Sequence, residues 1–181
     1  MTRVRPAFSA ISIALHWLVA AGIVGMLVFG MVIGAMESGP GKTATIQIHK
    51  SFGILVGALA LVRLLWRVHE GFPAAIPMAR WETVAARGMH QALLIMTVLM
   101  PVTGILKSVS YARPVNVFGL PVLPQLLAEK NELFNEVVSA MHAVSGYLLA
   151  AMVLVHAAAA IKHHVFDRDR TLVRMLGPSR G

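Results

Sequence analysis

The sequence predicts an all-α integral membrane protein, a four-helix bundle with both termini in the cytoplasm. Of its 181 residues, 57% are hydrophobic and only 13% are charged. A soluble domain carries about 25% charged residues. The few charges also leave four long apolar stretches between them. We therefore expect residues 1–181 to form a single transmembrane domain.

Four spans follow from the gaps between charged residues, since about 20 apolar residues cross a bilayer as a helix. Their predicted bounds are about 11–36, 43–65, 88–107 and 137–161. The first run is too long for the apolar region of a signal peptide, so it is interpreted as an uncleaved span. The second span contains Lys50 and Arg63 near its ends, where long side chains can reach the polar interface.

The distribution of Lys and Arg predicts the orientation of the bundle. Eleven of these residues flank the spans on the side of the two termini, and five lie on the opposite side. Cytoplasmic loops carry the excess of positive charge, so both termini are predicted to be cytoplasmic. The net charge of +8 then reflects these loops, and nucleic acid is not an expected partner.

The connection between the third and fourth spans is the longest and contains three prolines. Its residues from Gln125 to Phe134 are predicted to form a short interfacial helix. Pro101 and Gly104, near the end of the third span, predict a kink there.

Two histidines, His142 and His156, lie fourteen positions apart in the fourth span. This spacing places both imidazoles within about 40° on one helix face and about 21 Å apart along the axis. One therefore lies about 10 Å on either side of the midplane, near Leu149. Each needs a partner, because water is absent at that depth.

The depths of the other histidines supply such partners at two levels. His49 shares the outer level with His142, and both His16 and His90 share the inner level with His156. Depth alone does not choose between His16 and His90. The histidine left over can contact a haem propionate or a quinone, or lie at the interface.

Facing imidazoles from different helices are the axial ligands of low-spin b-type haem, which exchanges electrons rather than binding oxygen. The absence of cysteine excludes iron–sulfur clusters and thioether-linked haem. Zinc fits less well, because neither level offers a tetrahedral ligand set. Hydrogen-bonded histidines in a haem-free bundle are the remaining alternative.

Several segments resemble the bacterial cytochrome b561 family of dihaem inner-membrane proteins. They are Ile13–Trp17, Ile48–Gly53, Val62–Arg67, Met141–Tyr147 and His156–His164. Their order and spacing cover nearly the whole chain. The family is also similar to the cytochrome b subunits of membrane hydrogenases, but this chain has the length of the stand-alone type.

The resemblance implies two non-covalent haem b groups, with His49 and His142 as outer ligands and His16 and His156 as inner ligands. It also implies a multi-pass protein of the bacterial inner membrane, in contact with lipid and quinone. Some members oxidise superoxide on the periplasmic side and reduce ubiquinone, which is the activity expected here. The alternative is a non-catalytic electron carrier or anchor subunit that passes electrons between quinone and a redox partner protein.

Charged residues near the histidines are predicted to hold the haem propionates. Arg63 and Arg67 are the inner candidates and Lys50 is the outer one. Lys50, Lys107 and Arg113 can attract superoxide, although the outer glutamates reduce the outer net charge to +1. A quinone contact is expected near Trp17, Trp66 and His163, and no catalytic residue is assigned.

Overall fold

Four long helices make up most of the computed structural model, which describes residues 8–71, 73 and 76–177. They are α1 (Ala10–Ala35), α2 (Pro40–Glu70), α3 (Arg80–Ser110) and α4 (Glu132–Val165). A short hairpin, β1 (Val115–Val117) and β2 (Leu120–Leu123), and a single helical turn, α5 (Val173–Leu176), complete the described elements. Each long helix is long and apolar enough to cross a membrane, which confirms the prediction of four spans. The arginines at positions 3, 5 and 180, used to predict the orientation, lie outside the described residues.

Helices α2, α3 and α4 extend well beyond the predicted spans, because they continue through charged residues towards the membrane surface. Helix α2 begins with Pro40, whose fixed φ suits a first helical turn, and ends beside Gly71. Helix α4 begins after Asn131, whose side-chain oxygen accepts a hydrogen bond from the Phe134 N–H at 3.0 Å. A charge-free stretch therefore underestimates the length of a membrane helix.

The connection between α3 and α4 differs from its prediction. The proposed interfacial helix from Gln125 to Phe134 is wrong: the Gln125 side chain donates to the Leu127 carbonyl at 2.9 Å in an irregular segment, and helix begins only at Glu132. An antiparallel hairpin precedes it, with a tight turn at Phe118 and Gly119, both at positive φ. The Phe118 N–H donates to the buried Ser51 hydroxyl at 2.9 Å, which ties the turn to α2.

Neighbouring helices pack in chain order, α1 on α2, α2 on α3 and α3 on α4, while the α1–α4 contact is smaller. Helix α3 runs through Pro101 without interruption. Gly57 of α2 faces this proline so closely that a Cβ there would lie 2.7 Å from the ring. The glycine therefore permits the close approach of α2 and α3.

The buried core forms an apolar layer to which all four long helices contribute. Its members are Val19, Ile23, Ala60, Met96 and Leu149. Leu149 is only 1% exposed and lies seven residues from His142 and seven from His156. The layer therefore separates the bundle into a hairpin end, beside β1 and β2, and a termini end, where α1 begins and α4 ends.

Candidate functional site

Two histidines face each other at the hairpin end. His49 of α2 and His142 of α4 have ring centres 6.5 Å apart and ring planes at 90°. Both are half-buried, and the Phe29 ring packs against His49 at 5.4 Å. Gly104 of α3 packs beside the His142 ring, since a Cβ there would lie 3.4 Å from it.

Three histidines meet at the termini end. The ring of His156 lies 6.3 Å from that of His16 on α1 and 5.3 Å from that of His90 on α3. His16 and His156 are half-buried, whereas His90 is exposed. The structure thus brings together the histidines predicted for each level: His49 with His142, and both His16 and His90 with His156.

The ring spacing tests whether a metal ion fits between each pair of imidazoles. Metal–nitrogen bonds of about 2 Å and ring radii of about 1.1 Å, which follow from C–N bonds of about 1.33 Å, place the ring centres about 6.2 Å apart. The pairs His49–His142 and His16–His156, at 6.5 and 6.3 Å, match this value. The pair His90–His156, at 5.3 Å, is too close. The spacing thus favours the same inner pair as the family resemblance.

The nitrogens of the hairpin-end pair also fit a metal ligand set. The Nδ1 atom of His142 lies 2.9 Å from the Thr103 hydroxyl oxygen. The buried Nδ1 of His49 has no hydrogen-bond partner within the described part of the chain. A buried ring nitrogen without a partner is costly, so this nitrogen is available to a group that binds imidazole.

At the termini end, Arg63 contacts an imidazole directly. Its Nη2 atom lies 3.2 Å from Nδ1 of His16. Guanidinium has only donors, so the ring nitrogen accepts this hydrogen bond. The neutral imidazole then carries its proton on Nε2 in this arrangement.

The other two predicted propionate partners have protein contacts of their own. Arg67 contacts Glu70 at 3.8 Å and donates to the Gly71 carbonyl at 2.8 Å. Ser12, which is buried, hydrogen-bonds the same glutamate. Lys50 donates to the Pro114 carbonyl at 3.2 Å and so holds the start of the hairpin segment. Arg67 and Lys50 thus help to fasten loops at the two ends.

Lys107 is the cation of α3 whose charge acts on both His49 and His142. It was predicted only to attract an anionic substrate. This electrostatic interaction makes it a candidate propionate partner at the hairpin end. Thr103, one turn earlier on α3, is a site residue that the sequence reasoning missed. It lies at the predicted depth of His142, so a comparison of depths that included hydroxyl groups would have found it.

The residues expected near a quinone are largely engaged elsewhere. The Trp17 indole N–H donates to the Met175 carbonyl at 2.6 Å, which ties α5 to α1. The Nδ1 atom of His163 lies 2.8 Å from Asp169 and 2.9 Å from Asp167. The buried indole nitrogen of Trp66 has no hydrogen-bond partner among the described residues, so it remains available as a donor.

One further group could offer three metal ligands within the described residues, namely Glu82, His163 and Asp167. However, the Lys162 ammonium lies 3.0 Å from Glu82 and 2.7 Å from Asp167. These ion pairs join α3 to the end of α4. The group is therefore explained as a structural network.

A membrane-spanning bundle with facing imidazole pairs in its interior is typical of membrane cytochromes with histidine-ligated haem. A family profile described as prokaryotic cytochrome b561 matches residues 7–178. The chain therefore belongs to the prokaryotic cytochrome b561 family. Membership implies b-type haem and electron transfer across the bacterial inner membrane.

Similar proteins span nearly the same length. The chain is 33% identical to cytochrome b561 homolog 2 of Escherichia coli strain K12, over 95% of this chain and 92% of that protein. It is 29% identical to cytochrome b561 homolog 1 of the same strain, over 93% and 96%. It is 24% identical to the probable superoxide oxidase CybB of Yersinia pestis, over 96% and 98%.

Proposed function

We propose that the chain binds two b-type haems, one ligated by His49 and His142 and the other by His16 and His156. The observation that carries the proposal is the spacing of these two imidazole pairs, 6.5 and 6.3 Å between ring centres. When bound, the haems supply one-electron oxidation and reduction at two depths of the membrane. The protein excludes water between them with the apolar layer around Leu149.

The inner ligand set requires a change at Arg63. His16 can bind iron through Nε2 only if that nitrogen is free of its proton, so the proton must move to Nδ1. Nδ1 then no longer accepts from Arg63. A guanidinium released there can bind a propionate bidentately, with Arg67 as a second cation beside it. At the hairpin end Lys107 is the proposed counterpart, in place of Lys50.

We infer that the termini face the cytoplasm and that superoxide is oxidised at the opposite, hairpin end. The excess of Lys and Arg at the termini supports this orientation. The cations Lys50, Lys107 and Arg113 support attraction of an anion, and the printed name of the Yersinia pestis relative supports the activity. Two superoxide ions give two dioxygen molecules and two electrons, and ubiquinone takes up these electrons with two protons.

Ubiquinone is the proposed electron acceptor at the termini end. The indole N–H of Trp66 can donate to a quinone carbonyl, because it is the one member of the predicted quinone contacts still without a partner in the described residues. A quinone ring buried there would take protons from the cytoplasmic side.

The test is to expose the oxidised, purified protein to a steady source of superoxide and to follow the haem absorbance. We expect rapid haem reduction, followed by reoxidation when ubiquinone is added. Lys107→Gln should slow haem reduction by about two- to fivefold, because one lysine supplies only part of the rate increase that a whole charged cleft gives. The reduction rate should also depend less on salt concentration.

Lys42→Gln is the matched control, because Lys42 lies at the same end but donates to the Met36 carbonyl at 2.8 Å. If superoxide fails to reduce the haems while a quinol does, the protein is an electron carrier and the superoxide proposal is overturned. If the pure protein holds no haem, both proposals fail.

A further inference from the structure

We propose that Thr103 is a positioning residue for the hairpin-end haem, which orients His142 and selects the ring nitrogen that binds iron. This inference rests on the proposed role of His142 as an axial ligand. It adds a residue of α3 to a site whose proposed ligands come from α2 and α4.

The hydrogen-bond geometry assigns the direction of each bond. The Thr103 hydroxyl oxygen lies 2.9 Å from the Met100 carbonyl and 2.9 Å from Nδ1 of His142. A hydroxyl has a single proton, and the carbonyl can only accept. The threonine therefore donates to Met100 and accepts from the His142 Nδ1–H, for which the Met100 carbonyl is a second acceptor.

The tautomer follows from this direction. A neutral imidazole with its proton on Nδ1 keeps the lone pair on Nε2, which is then the nitrogen that can bind iron. Such outer partners commonly fix the ring orientation of a metal-bound histidine and raise its basicity. Thr103 is only 1% exposed, so water does not compete for this bond.

The imidazole also packs against the next residue of α3. A Cβ at Gly104 would lie 3.4 Å from its Cε1 atom, which is van der Waals contact. Two consecutive residues of α3 therefore lie against one histidine of α4, and Thr103 is the one that offers it a hydrogen bond. The termini-end ligand His16 has a different partner, the guanidinium of Arg63.

The test is Thr103→Val, which keeps the shape of the side chain, removes the hydroxyl acceptor and leaves the Met100 carbonyl in place. The control is Thr97→Val, because Thr97 is also buried in α3, at 6% exposure, and donates to the Leu94 carbonyl at 3.0 Å. Thr103→Ser retains the hydroxyl. The haem content, the redox titration and the low-spin electron paramagnetic resonance signals of all three proteins are compared with those of the unaltered protein.

We expect Thr103→Val to raise the midpoint potential of one haem only, because a less basic imidazole stabilises ferric iron less. Loss of an outer partner of a metal ligand commonly weakens metal binding tenfold or more. A tenfold weaker affinity for ferric iron corresponds to a rise of about 59 mV in the midpoint potential. The same haem should change its low-spin signal, and it should be the haem that His142→Ala removes. Thr103→Ser should restore both properties, and Thr97→Val should change neither.

Equal shifts in Thr103→Val and Thr97→Val, or no shift in either, would overturn the inference. Loss of the haem in both Thr103→Val and Thr103→Ser would also overturn it, since a structural role would then suffice. If His142→Ala itself leaves both haems in place, the ligand assignment has failed instead. The experiment thus separates the two proposals.

Discussion

The two histidine levels differ in the groups that surround them. At the hairpin end, His142 contacts a neutral hydroxyl, and Lys107 is the cation that acts on both rings. At the termini end, Arg63 contacts His16, and the Arg67–Glu70 pair lies one turn further along α2. The same kind of ring pair, with nearly the same spacing, therefore lies in two electrostatic environments.

This difference bears on the direction of electron transfer. A nearby positive charge stabilises reduced haem, since reduction adds a negative charge. The guanidinium of Arg63 would therefore raise the potential of the termini-end haem, and Lys107 would act in the same sense on the hairpin-end haem. The proposed oxidation of superoxide moves electrons from the hairpin end to the termini end, so it requires the effect of Arg63 to be the larger one.

The largest expected effect comes from removing a ligand at one level. His142→Ala should remove the hairpin-end haem, and His156→Ala the termini-end haem, so each variant should keep about half of the haem. Haem content per protein and the redox spectrum measure this. His90→Ala is the control and should keep all the haem, because its ring spacing to His156 is only 5.3 Å. Loss of haem in His90→Ala would reverse the choice of His16.

The next effect concerns the difference in potential. Arg63→Gln removes a charge beside the termini-end site and should lower the potential of that haem alone, by about 59 mV for a tenfold change in the one-electron equilibrium. A redox titration measures both haems at once. Arg80→Gln alters an exposed arginine at the same end and should leave both potentials unchanged. A shift of the hairpin-end haem in Arg63→Gln would contradict the electrostatic contrast.

A smaller effect is expected from the contact that ties the hairpin to α2. Ser51→Ala removes the acceptor of the Phe118 N–H, and the loss of one hydrogen bond costs about 0.5–1.5 kcal/mol. The variant should lose the hairpin-end haem at a lower temperature than the termini-end haem, as followed by absorbance on heating. Thr45→Ala is the control, because the Thr45 hydroxyl of α2 donates to the Gly41 carbonyl. It should leave the two haems with the same loss temperatures as in the unaltered protein. Parallel loss of both haems in Ser51→Ala would show that the hairpin serves the whole bundle.

Much of the fold was predictable from local pattern. The four spans follow from the lengths of the apolar runs, and the two levels follow from helical rise and the positions of the histidines. The hairpin was missed, because its strands are only three and four residues long and its turn needs positive φ at Phe118, which the sequence does not signal. The helix predicted at Gln125–Phe134 was wrong for another reason. The Gln125 side chain donates to the nearby carbonyls of Leu127 and Ala128, and such local contacts compete with helix.

The depth of each histidine in the membrane was predictable from the sequence, but the rotation of each helix about its axis was not. Depth placed His16 and His90 at one level, while the distances to His156 depend on how α1 and α3 are turned about their axes. The pairing of Thr103 with His142 likewise depends on the packing of α3 against α4. Such contacts join distant parts of the chain, so no local pattern encodes them.

The sequence by itself determined that the chain crosses the membrane four times and carries histidines at two depths. Hydrophobic length and the fixed helical rise are properties of each segment alone, which is why these features can be read without a partner. Only the tertiary structure decided which rings face each other at 6.3 and 6.5 Å, which one carries a hydroxyl partner and which one meets a guanidinium. Those choices depend on the rotation and packing of neighbouring helices, and therefore on the whole bundle.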